Sequence, residues 1–231
     1  MFFPERIKNI RVNDKVLEIG PGSTPHPRSD VYLELKYASK EDEQAQFGHT
    51  GSLTSAKPIV YYDGSRFPFK DSEFDYVICS HVLEHVPDVE FFLRELQRVA
   101  PNGYLEFPTV YYDYLFNFDV HLNFLLWDGS VIRWGKKSDF GLNAFLPVQA
   151  IFREALEKQT TSIVTELNEV FIQGFEWSGD IRFQHATGLE QFCLQNFQLA
   201  DRRYKPDNRK MEISFRQKLK IKLKLMIDTY L

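Results

Sequence analysis

The feature that most constrains this chain is the run Val16-Leu17-Glu18-Ile19-Gly20-Pro21-Gly22. An apolar run of this length, bounded by turn residues, is typical of a strand buried on both faces of a parallel sheet. Glycine permits a tight loop and lets a ligand approach the main chain closely. The run therefore predicts a buried first strand, Lys15 to Ile19, that ends in a ligand-binding loop. An ordinary strand-to-loop turn is the alternative.

Further strand patterns follow at a spacing that leaves room for crossovers. Between two of them, Val89 to Ala100 carries apolar residues at helical spacing, and Pro101 ends that pattern. The prolines at positions 25 and 27 disfavour a full helix between the first two strands. Strands joined by crossovers imply a doubly wound, mainly parallel α/β sheet. The predicted strands after the first are Val31 to Leu35, Ile59 to Asp63, Phe74 to Cys79 and Tyr104 to Phe107.

The second half of the chain is rich in aromatic residues and less regular. Asp128-Gly129 between apolar runs predicts a hairpin over 125–132, and Pro147 to Lys158 predicts a helix. We expect an extended pair around Ser178-Gly179-Asp180, then a helix from Leu189 to Phe197 and two final strands, 197–204 and 211–215. The predicted organisation is a ligand-binding half of the sheet (1–109), a cap or substrate-recognition insertion (110–186), a helix and strands that complete the sheet (187–216), and a basic tail (217–231).

Composition places the chain among globular proteins. Its 231 residues are enough for one large domain, and 26% of them are charged. The sequence has no apolar run of the roughly 18 residues that a membrane span needs, and its N-terminus lacks the pattern of a signal peptide. The two cysteines, Cys79 and Cys193, offer no disulfide framework. We therefore expect a cytoplasmic protein.

Three carboxylates mark the ends of the first three predicted strands: Glu18, Glu34 and Asp63. Ligands of open parallel sheets bind at that edge. A carboxylate there can accept ribose hydroxyls or an exocyclic amine, and it attracts positive charge. The sequence has no phosphate-binding Gly-Lys-Ser/Thr loop, and Pro25 replaces the third glycine of a dinucleotide loop. The pattern thus favours a cationic adenine nucleoside over a nucleotide polyphosphate or a nicotinamide cofactor.

Three segments together resemble the class I methyltransferases that use S-adenosylmethionine (SAM): residues 16–22, the run Tyr61-Tyr62-Asp63-Gly64-Ser65-Arg66-Phe67, and Ser80-His81-Val82-Leu83-Glu84-His85-Val86. The resemblance covers about residues 15–109 and implies a Rossmann-like fold, SAM as cofactor and S-adenosylhomocysteine as product. The glycan-modifying subgroup of small bacterial-type enzymes is the nearest in pattern. The resemblance implies these cofactor-binding residues: Glu18, Gly20 and Gly22 at the methionine part, Glu34 at the ribose, Asp63 and Gly64 at the adenine, and Ser80 or His81 closing the pocket.

Each of these residues also has a purely structural interpretation. Glu34 could be a solvated edge charge, and Asp63 could cap a turn with Gly64. His85 recurs in the family's Leu-Glu-His-Val segment and is more often a structural hydrogen-bonder than a base. His81 and His85 have the spacing of a metal pair, but the sequence offers no apparent third ligand. We therefore predict no metal.

The resemblance leaves the methyl acceptor open. Transfer to a hydroxyl needs a base, and the candidates are His81, His85, Asp113, His121 and His185, with Asp113 and His121 favoured and His85 retained. Aromatic side chains beside acids suit a sugar, so O-methylation of a glycan or glycolipid is the first hypothesis. The alternatives are a small aromatic or quinone-like acceptor, and a SAM-binding interaction module without catalysis. Nucleic acid is disfavoured, because the body is acidic and the Pro-Pro motif of amino-methylating enzymes is missing.

The C-terminal tail carries most of the basic charge. From Arg202 onward there are ten basic and three acidic residues, whereas the rest of the chain has a net charge of -11. Lysines alternate with apolar residues over 216–225, which favours an edge strand protected by lysines. The same residues also form a helical face that suits an anionic membrane surface. Both interpretations stay open, so the protein is expected to be cytoplasmic with a possible peripheral membrane contact.

Overall fold

The computed structural model describes residues 1–37 and 56–192. Its strands are β1 Val16–Ile19, β2 Val31–Leu35, β3 Ile59–Tyr62, β4 Tyr76–Ser80, β5 Asn102–Pro108, β6 Asn123–Trp127, β7 Ile132–Lys136, β8 Ile172–Ser178 and β9 Phe183–His185. Its α-helices are α1 Val89–Val99, α2 Val110–Phe116, α3 Leu146–Glu157, α4 Ile163–Glu166 and α5 Asn168–Phe171. Short 3-10 helices cover Pro4–Arg6, Lys137–Phe140, Leu142–Phe145 and Leu189–Phe192.

The main sheet has six strands in the order β3-β2-β1-β4-β5-β8. The first five are parallel to their neighbours, and β8 runs antiparallel to β5. The strand order reverses direction between β1 and β4, which is the point where open α/β sheets bind ligands. The predicted doubly wound, mainly parallel, Rossmann-like sheet is confirmed.

The first strand is buried as its sequence predicts. All four residues of β1 are buried, and Leu17 pairs with Val31 on one side and Val77 on the other. The crossover helix α1 begins at its N-cap Asp88, whose carboxylate accepts a hydrogen bond from Phe91 N at 2.9 Å. Its apolar face packs into the core beneath β1 and β4. A central strand and a helix that share one core fix the loops at the carboxyl edge of the sheet.

The predicted hairpin is confirmed, with β6 and β7 pairing antiparallel across Asp128-Gly129. We predicted that the two extended segments on either side of Ser178-Gly179-Asp180 pair with each other, and that prediction is wrong. Both segments are extended, but β8 pairs with β5 over seven residues, and β9 pairs in parallel with β7. Burial explains the difference, since four of the seven residues of β8 are buried where the strand joins β5.

The helices α2 to α5, which precede and follow the β6–β7 hairpin, surround an aromatic core. Phe116, Phe171 and Tyr112 lie within one cluster, with ring centroids about as far apart as aromatic pairs prefer. The first of these helices, α2, follows the carboxyl end of β5, beside the ligand edge. The predicted division into domains stays a prediction.

The end of the chain is described only in part. The helix expected over 189–197 begins as the 3-10 helix Leu189–Phe192. Its remainder, the two final strands and the basic tail lie outside the described residues. Within residues 1–37 and 56–192, no helix combines the length and apolar character that crossing a bilayer requires.

Candidate active site

A cavity of about 330 Å³ lies at the carboxyl ends of β1 to β4. We call it the strand-edge cavity. It brings together residues at the ends of β1, β2, β3 and β4, among them Gly20, Glu34, Asp63, Gly64, His81 and His85. Its floor is apolar, with Leu33, Val82 and Phe92 among the lining residues. An apolar floor with a few convergent polar groups is the usual form of a small-molecule site.

Gly20 shapes the wall of this cavity for two physical reasons. Its backbone is left-handed, with φ of +59°, and a Cβ atom there would stand 2.7 Å from Val82 Cγ2. Its N–H donates to Leu33 O at 2.9 Å, which ties the loop to β2. Gly22 is also left-handed, but open space surrounds it, and it does not line the cavity.

Glu18 has an internal role in this structure. Its side chain is 3% exposed, and its carboxylate accepts hydrogen bonds from His26 N at 2.9 Å and Ser29 Oγ at 2.6 Å. Burial raises the pKa of Glu18, and the bonds from Ser29 and His26 partly oppose that rise. Residues 20–30 contain turns and no helix, as the two prolines predict. Glu18 thus anchors the loop that follows β1 and does not line the cavity.

Glu34 and Asp63 both line the cavity. Asp63 is exposed and accepts a hydrogen bond from Ser65 N at 3.0 Å, the turn contact of its structural interpretation. The two hydrogen bonds from Ser65 hold the pKa of Asp63 below its ordinary value, so the group is ionised at neutral pH. Glu34 Oε1 accepts from Leu35 N at 3.0 Å. Two carboxylates on neighbouring strands give the cavity an acidic rim.

At the end of β4 the chain turns sharply through His81, which has φ of +57°. Its N–H donates to Glu106 O at 2.8 Å, and its ring lies between two buried carboxylates, 3.4 Å from Glu84 and 3.2 Å from Glu106. Burial alone would lower the pKa of His81, but these two carboxylates outweigh it and raise the pKa to about 9. His81 is therefore a cation at the inner end of the cavity.

Glu106 organises the groups behind His81. Its carboxylate accepts hydrogen bonds from Phe2 N at 2.7 Å, Phe3 N at 2.9 Å and Ser80 Oγ at 2.8 Å. Ser80 therefore points to Glu106 and is absent from the cavity lining. The Phe2 ring packs against the His81 ring, with centroids 5.3 Å apart.

Two buried carboxylates and two half-buried histidines meet beside the cavity, and we call them the imidazole cluster: Glu84, His85, Asp113 and His121. His121 Nδ1 lies 2.5 Å from Asp113 Oδ1, and the His85 and His121 rings meet edge to face with centroids 4.8 Å apart. His85 Nδ1 lies 2.9 Å from Val120 O. The structure thus brings together the three candidate catalytic residues, Asp113, His121 and His85. Of these three, His85 lines the strand-edge cavity.

The charges of the cluster follow from its burial. Burial would lower the pKa of His121, yet Asp113 reverses that effect and raises it. The pKa of Asp113 is also raised, because the carboxyl is fully buried. Burial lowers the pKa of His85, which is therefore neutral at pH 7. The cluster combines a hydrogen-bonded dyad with a neutral imidazole that faces the cavity.

Next to the cluster lies a second opening of about 440 Å³, which we call the polar cleft. His121 lines it together with Asn117, Asp119, Lys136, Lys137, Ser138 and Asn143. Pro87 lines both this cleft and the strand-edge cavity, so the two openings adjoin. His185, the remaining candidate base, is on β9 with its ring against Trp134.

Two carboxylates at the centre of the site, Glu84 and Glu106, were missed by the sequence analysis. Glu84 sits within the Leu-Glu-His-Val segment that the resemblance had already marked, so its position next to His85 was an available signal. Glu106 is one acid within an apolar strand. The sequence pattern gave no sign that its side chain would be fully buried, at 0% exposure. An acid in a central strand needs partners, which here come from the N-terminal residues and from His81.

A mainly parallel sheet of this strand order is Rossmann-like, and such sheets bind ligands at the edge where the order reverses. Within this chain, residues 32–107 match the family model described as a methyltransferase domain. The match covers 76 of the 231 residues, so about a third of the chain is similar to a methyltransferase domain. The glycan-modifying subgroup stays a prediction.

Individual relatives match short parts of the chain. The demethylmenaquinone methyltransferase of Streptomyces griseus subsp. griseus is 40% identical over 70 residues, which cover 25% of this chain and 30% of that protein. A second, from Staphylococcus saprophyticus subsp. saprophyticus, is 44% identical over 45 residues and covers 20% of this chain and 19% of that protein. The chain thus spans less than a third of the length of these curated relatives.

Solved structures overlap about half of the chain. The YcgJ protein of Bacillus subtilis is 18% identical with a TM-score of 0.34, covering 47% of this chain and 52% of that one. At that identity and score, the overlap says nothing about activity.

Proposed function

We propose that the protein transfers the methyl group of SAM to an acceptor oxygen. The observation that carries this proposal is the strand-edge cavity, where Gly20, Glu34, Asp63 and His81 converge at the switch point of the sheet. Glu34 is assigned to the ribose hydroxyls and Asp63 with Gly64 to the adenine amine. Glu18 and Gly22 contribute by holding the loop after β1, and Ser80 by fixing Glu106 behind His81.

The imidazole cluster is proposed to activate the acceptor. SAM methyl transfer is an in-line displacement: the acceptor oxygen forms a bond to the methyl carbon as the carbon–sulfur bond breaks, and the pair of electrons in that bond goes to sulfur. The oxygen is a better nucleophile once its proton is withdrawn. His85 lines the cavity and His121 lines the polar cleft, so the cluster borders both openings and can take the proton of an acceptor hydroxyl that reaches the methyl carbon directly.

The polar cleft supports a hydroxyl-rich acceptor. Beside Pro87, Leu122 and Leu142, its lining offers amides, a carboxylate, a hydroxyl and two lysines, which suit the hydrogen-bonding edges of a sugar while the apolar residues can pack on its face. The first candidate is accordingly O-methylation of a sugar hydroxyl in a glycan or glycolipid. The lysines additionally favour an acceptor that carries phosphate or carboxylate.

A second candidate is a quinone-like or small aromatic acceptor. The curated relatives are named demethylmenaquinone methyltransferases, and that name supports it. The matched segments are short parts of those proteins, and the polar character of the cleft opposes a fully apolar acceptor. A dihydroxy ring, with polar groups at one edge, is the form of this candidate that the cleft suits best.

Incubation with methyl-labelled SAM and a panel of sugars, lipid-linked glycans, quinols and phenols tests the proposal, with mass spectrometry as the readout. We expect SAM to bind at micromolar affinity or tighter and one acceptor class to gain a single methyl group. Labelled product with quinols alone would favour the second candidate. Binding of SAM without transfer to any class would indicate a non-catalytic interaction module.

The basic segment 216–225 is proposed to hold the protein at an anionic membrane surface, near a lipid-linked acceptor. Each lysine near such a surface contributes about 1 kcal/mol, and the attraction decays within a Debye length of about 8–10 Å. Vesicles with anionic lipid should bind the protein in a salt-sensitive way, and neutral vesicles should not. Changing Lys218, Lys220, Lys222 and Lys224 to Gln should remove binding without altering SAM affinity. Retained vesicle binding by that variant would contradict the membrane role.

A further inference from the structure

Three potential metal ligands meet inside the imidazole cluster. A carboxylate oxygen of Glu84 and one ring nitrogen from each of His85 and His121 all lie within 4.8 Å of one another. Glu84 and His85 follow β4, whereas His121 comes from the segment after α2. The sequence suggested only the pair His81 and His85, whereas in the folded chain His85 meets Glu84 and His121 instead.

Glu84 is the least satisfied polar group of this region. Its residue is 0% exposed, and neither carboxylate oxygen accepts a hydrogen bond from any residue in the described parts of the chain. A buried carboxylate without hydrogen bonds is costly, and such groups normally pair with charges or coordinate metals. His81 stands 3.4 Å away, but it is shared with Glu106 at 3.2 Å. One cation between two buried carboxylates leaves negative charge at Glu84.

The two histidines are oriented as metal-binding histidines usually are. The Nδ1 atom of His85 lies against the carbonyl oxygen of Val120, and the Nδ1 atom of His121 lies against the carboxylate of Asp113. An N–H at Nδ1 donates to each of these acceptors, so the free lone pair is on Nε2 in both rings. A ligating histidine almost always donates its other N–H to a carbonyl or carboxylate in this way, which fixes the tautomer and the ring.

We propose that Glu84, His85 and His121 bind one divalent transition-metal ion. Two imidazoles and one carboxylate form a donor set suited to Zn²⁺, Mn²⁺ or Fe²⁺, whereas Mg²⁺ and Ca²⁺ favour oxygen donors. Three protein ligands leave a position open, as in catalytic rather than structural sites. This proposal differs from the prediction of no metal that was made from the sequence.

The spacing of the donors is close to what an ion requires. In a tetrahedral site with bonds of about 2.0–2.2 Å to nitrogen and oxygen, the donor atoms stand about 3.3–3.6 Å apart. The three atoms are spread over at most 4.8 Å, so small side-chain rotations bring them into range. Asp113 is the positioning residue, because it holds the ring of His121 from behind.

The ion also gives the proposed activity a mechanism, and this step rests on the proposed function. It would lie between the strand-edge cavity and the polar cleft, where its open position can take the acceptor oxygen. Coordination lowers the pKa of a bound hydroxyl and so favours loss of its proton to solvent. In that case His121 acts as a ligand and not as the base.

Metal binding can be measured without any methyl acceptor. Untagged protein, treated with chelator and dialysed, is titrated with Zn²⁺ and with Mn²⁺ by calorimetry, and with Co²⁺ by visible absorption. We expect one ion per chain for the wild type. Glu84→Gln and His121→Gln should each weaken binding by 100-fold or more, and Asp113→Asn by about 10–100-fold. His185→Gln, a histidine outside the cluster, is the matched control and should bind as the wild type does.

The outcomes distinguish failure of the proposed metal site from failure of the proposed methyl transfer. Circular dichroism and thermal melting first establish that the variants are folded. Absence of a stoichiometric site in the wild type, or equal affinity in the wild type and both ligand variants, overturns the metal site. Full methyl transfer by ion-free protein overturns the catalytic role of the ion, but not the binding site, and leaves His121 as the base. Stoichiometric binding that the ligand variants lose upholds the site, even where no transfer to any acceptor is found; that last result counts against the proposed function only.

Discussion

The strand-edge cavity and the imidazole cluster adjoin at His85, yet they differ in where their polar groups come from in the chain and in how deeply those groups are buried. The cavity takes its polar groups from the last residues of the strands and the first residues after them, and Asp63 among them is exposed to solvent. The cluster takes its groups from distant parts of the chain, and Glu84 and Asp113 are fully buried. Charges interact far more strongly where water is excluded. The difference teaches that one region is suited to recognition and the other to chemistry.

The largest expected effect is on turnover, and it comes from a variant that disrupts the imidazole cluster but not the strand-edge cavity. His121→Gln should lower turnover by about 10²–10⁴-fold, because the variant loses either the proton acceptor or the metal ligand. SAM affinity should change little, since His121 does not line the strand-edge cavity. Steady-state kinetics on the acceptor found in the labelled panel checks the first part, and calorimetry with SAM checks the second.

A comparable loss of SAM affinity in this variant would contradict the separation of the two regions. His185→Gln serves as its control and should retain normal turnover.

The next effect concerns the loop that shapes the cavity. Gly20→Ala should lower the free energy of unfolding by about 1–2 kcal/mol for its left-handed backbone. A further cost of about 1–3 kcal/mol should come from crowding against Val82. Gly22→Ala has the same backbone angle but open space around it, so it should show the first cost alone. Urea denaturation of the two variants without ligand measures the difference.

Equal stability of the two glycine variants would mean that the contact between residue 20 and Val82 is not a constraint on the loop.

The smallest expected effect belongs to the cavity rim. Asp63→Ala and Glu34→Ala should each weaken SAM binding by about 1–3 kcal/mol, the range for a lost hydrogen bond that involves a charged group. Calorimetry with SAM and S-adenosylhomocysteine provides the measurement. Asp180→Ala, an exposed acid on the loop after β8, is the control. Wild-type affinity in both rim variants would remove the assignment of the cavity to SAM.

The fold was largely predictable because its signals are local. Each parallel strand is a short apolar run between turn residues, and α1 has a capping aspartate and a regular apolar face. The pairing of β8 was not predictable in the same way, since its extended sequence fits a hairpin with β9 as well as an edge of the main sheet. Which partner it takes depends on the burial that the finished sheet offers.

The two parts of the site also differ in how far they could be predicted from the sequence. Glu34 and Asp63 could be found because strand ends of a parallel sheet converge at one edge. The approach of His121 to Glu84 and His85 depends on how residues 110–123 fold back over β4, which no spacing in the sequence encodes. Glu106 was missed because an acid inside a buried strand is decided by tertiary partners rather than by pattern.

A crystal structure of the protein with S-adenosylhomocysteine tests the central claim most directly. We predict the adenosine part between Glu34, Asp63 and Gly64, with the sulfur atom directed towards His85 and the imidazole cluster. The methyl group of SAM would then face the polar cleft. A ligand bound elsewhere, or one in this cavity whose sulfur points away from His85, would contradict the account.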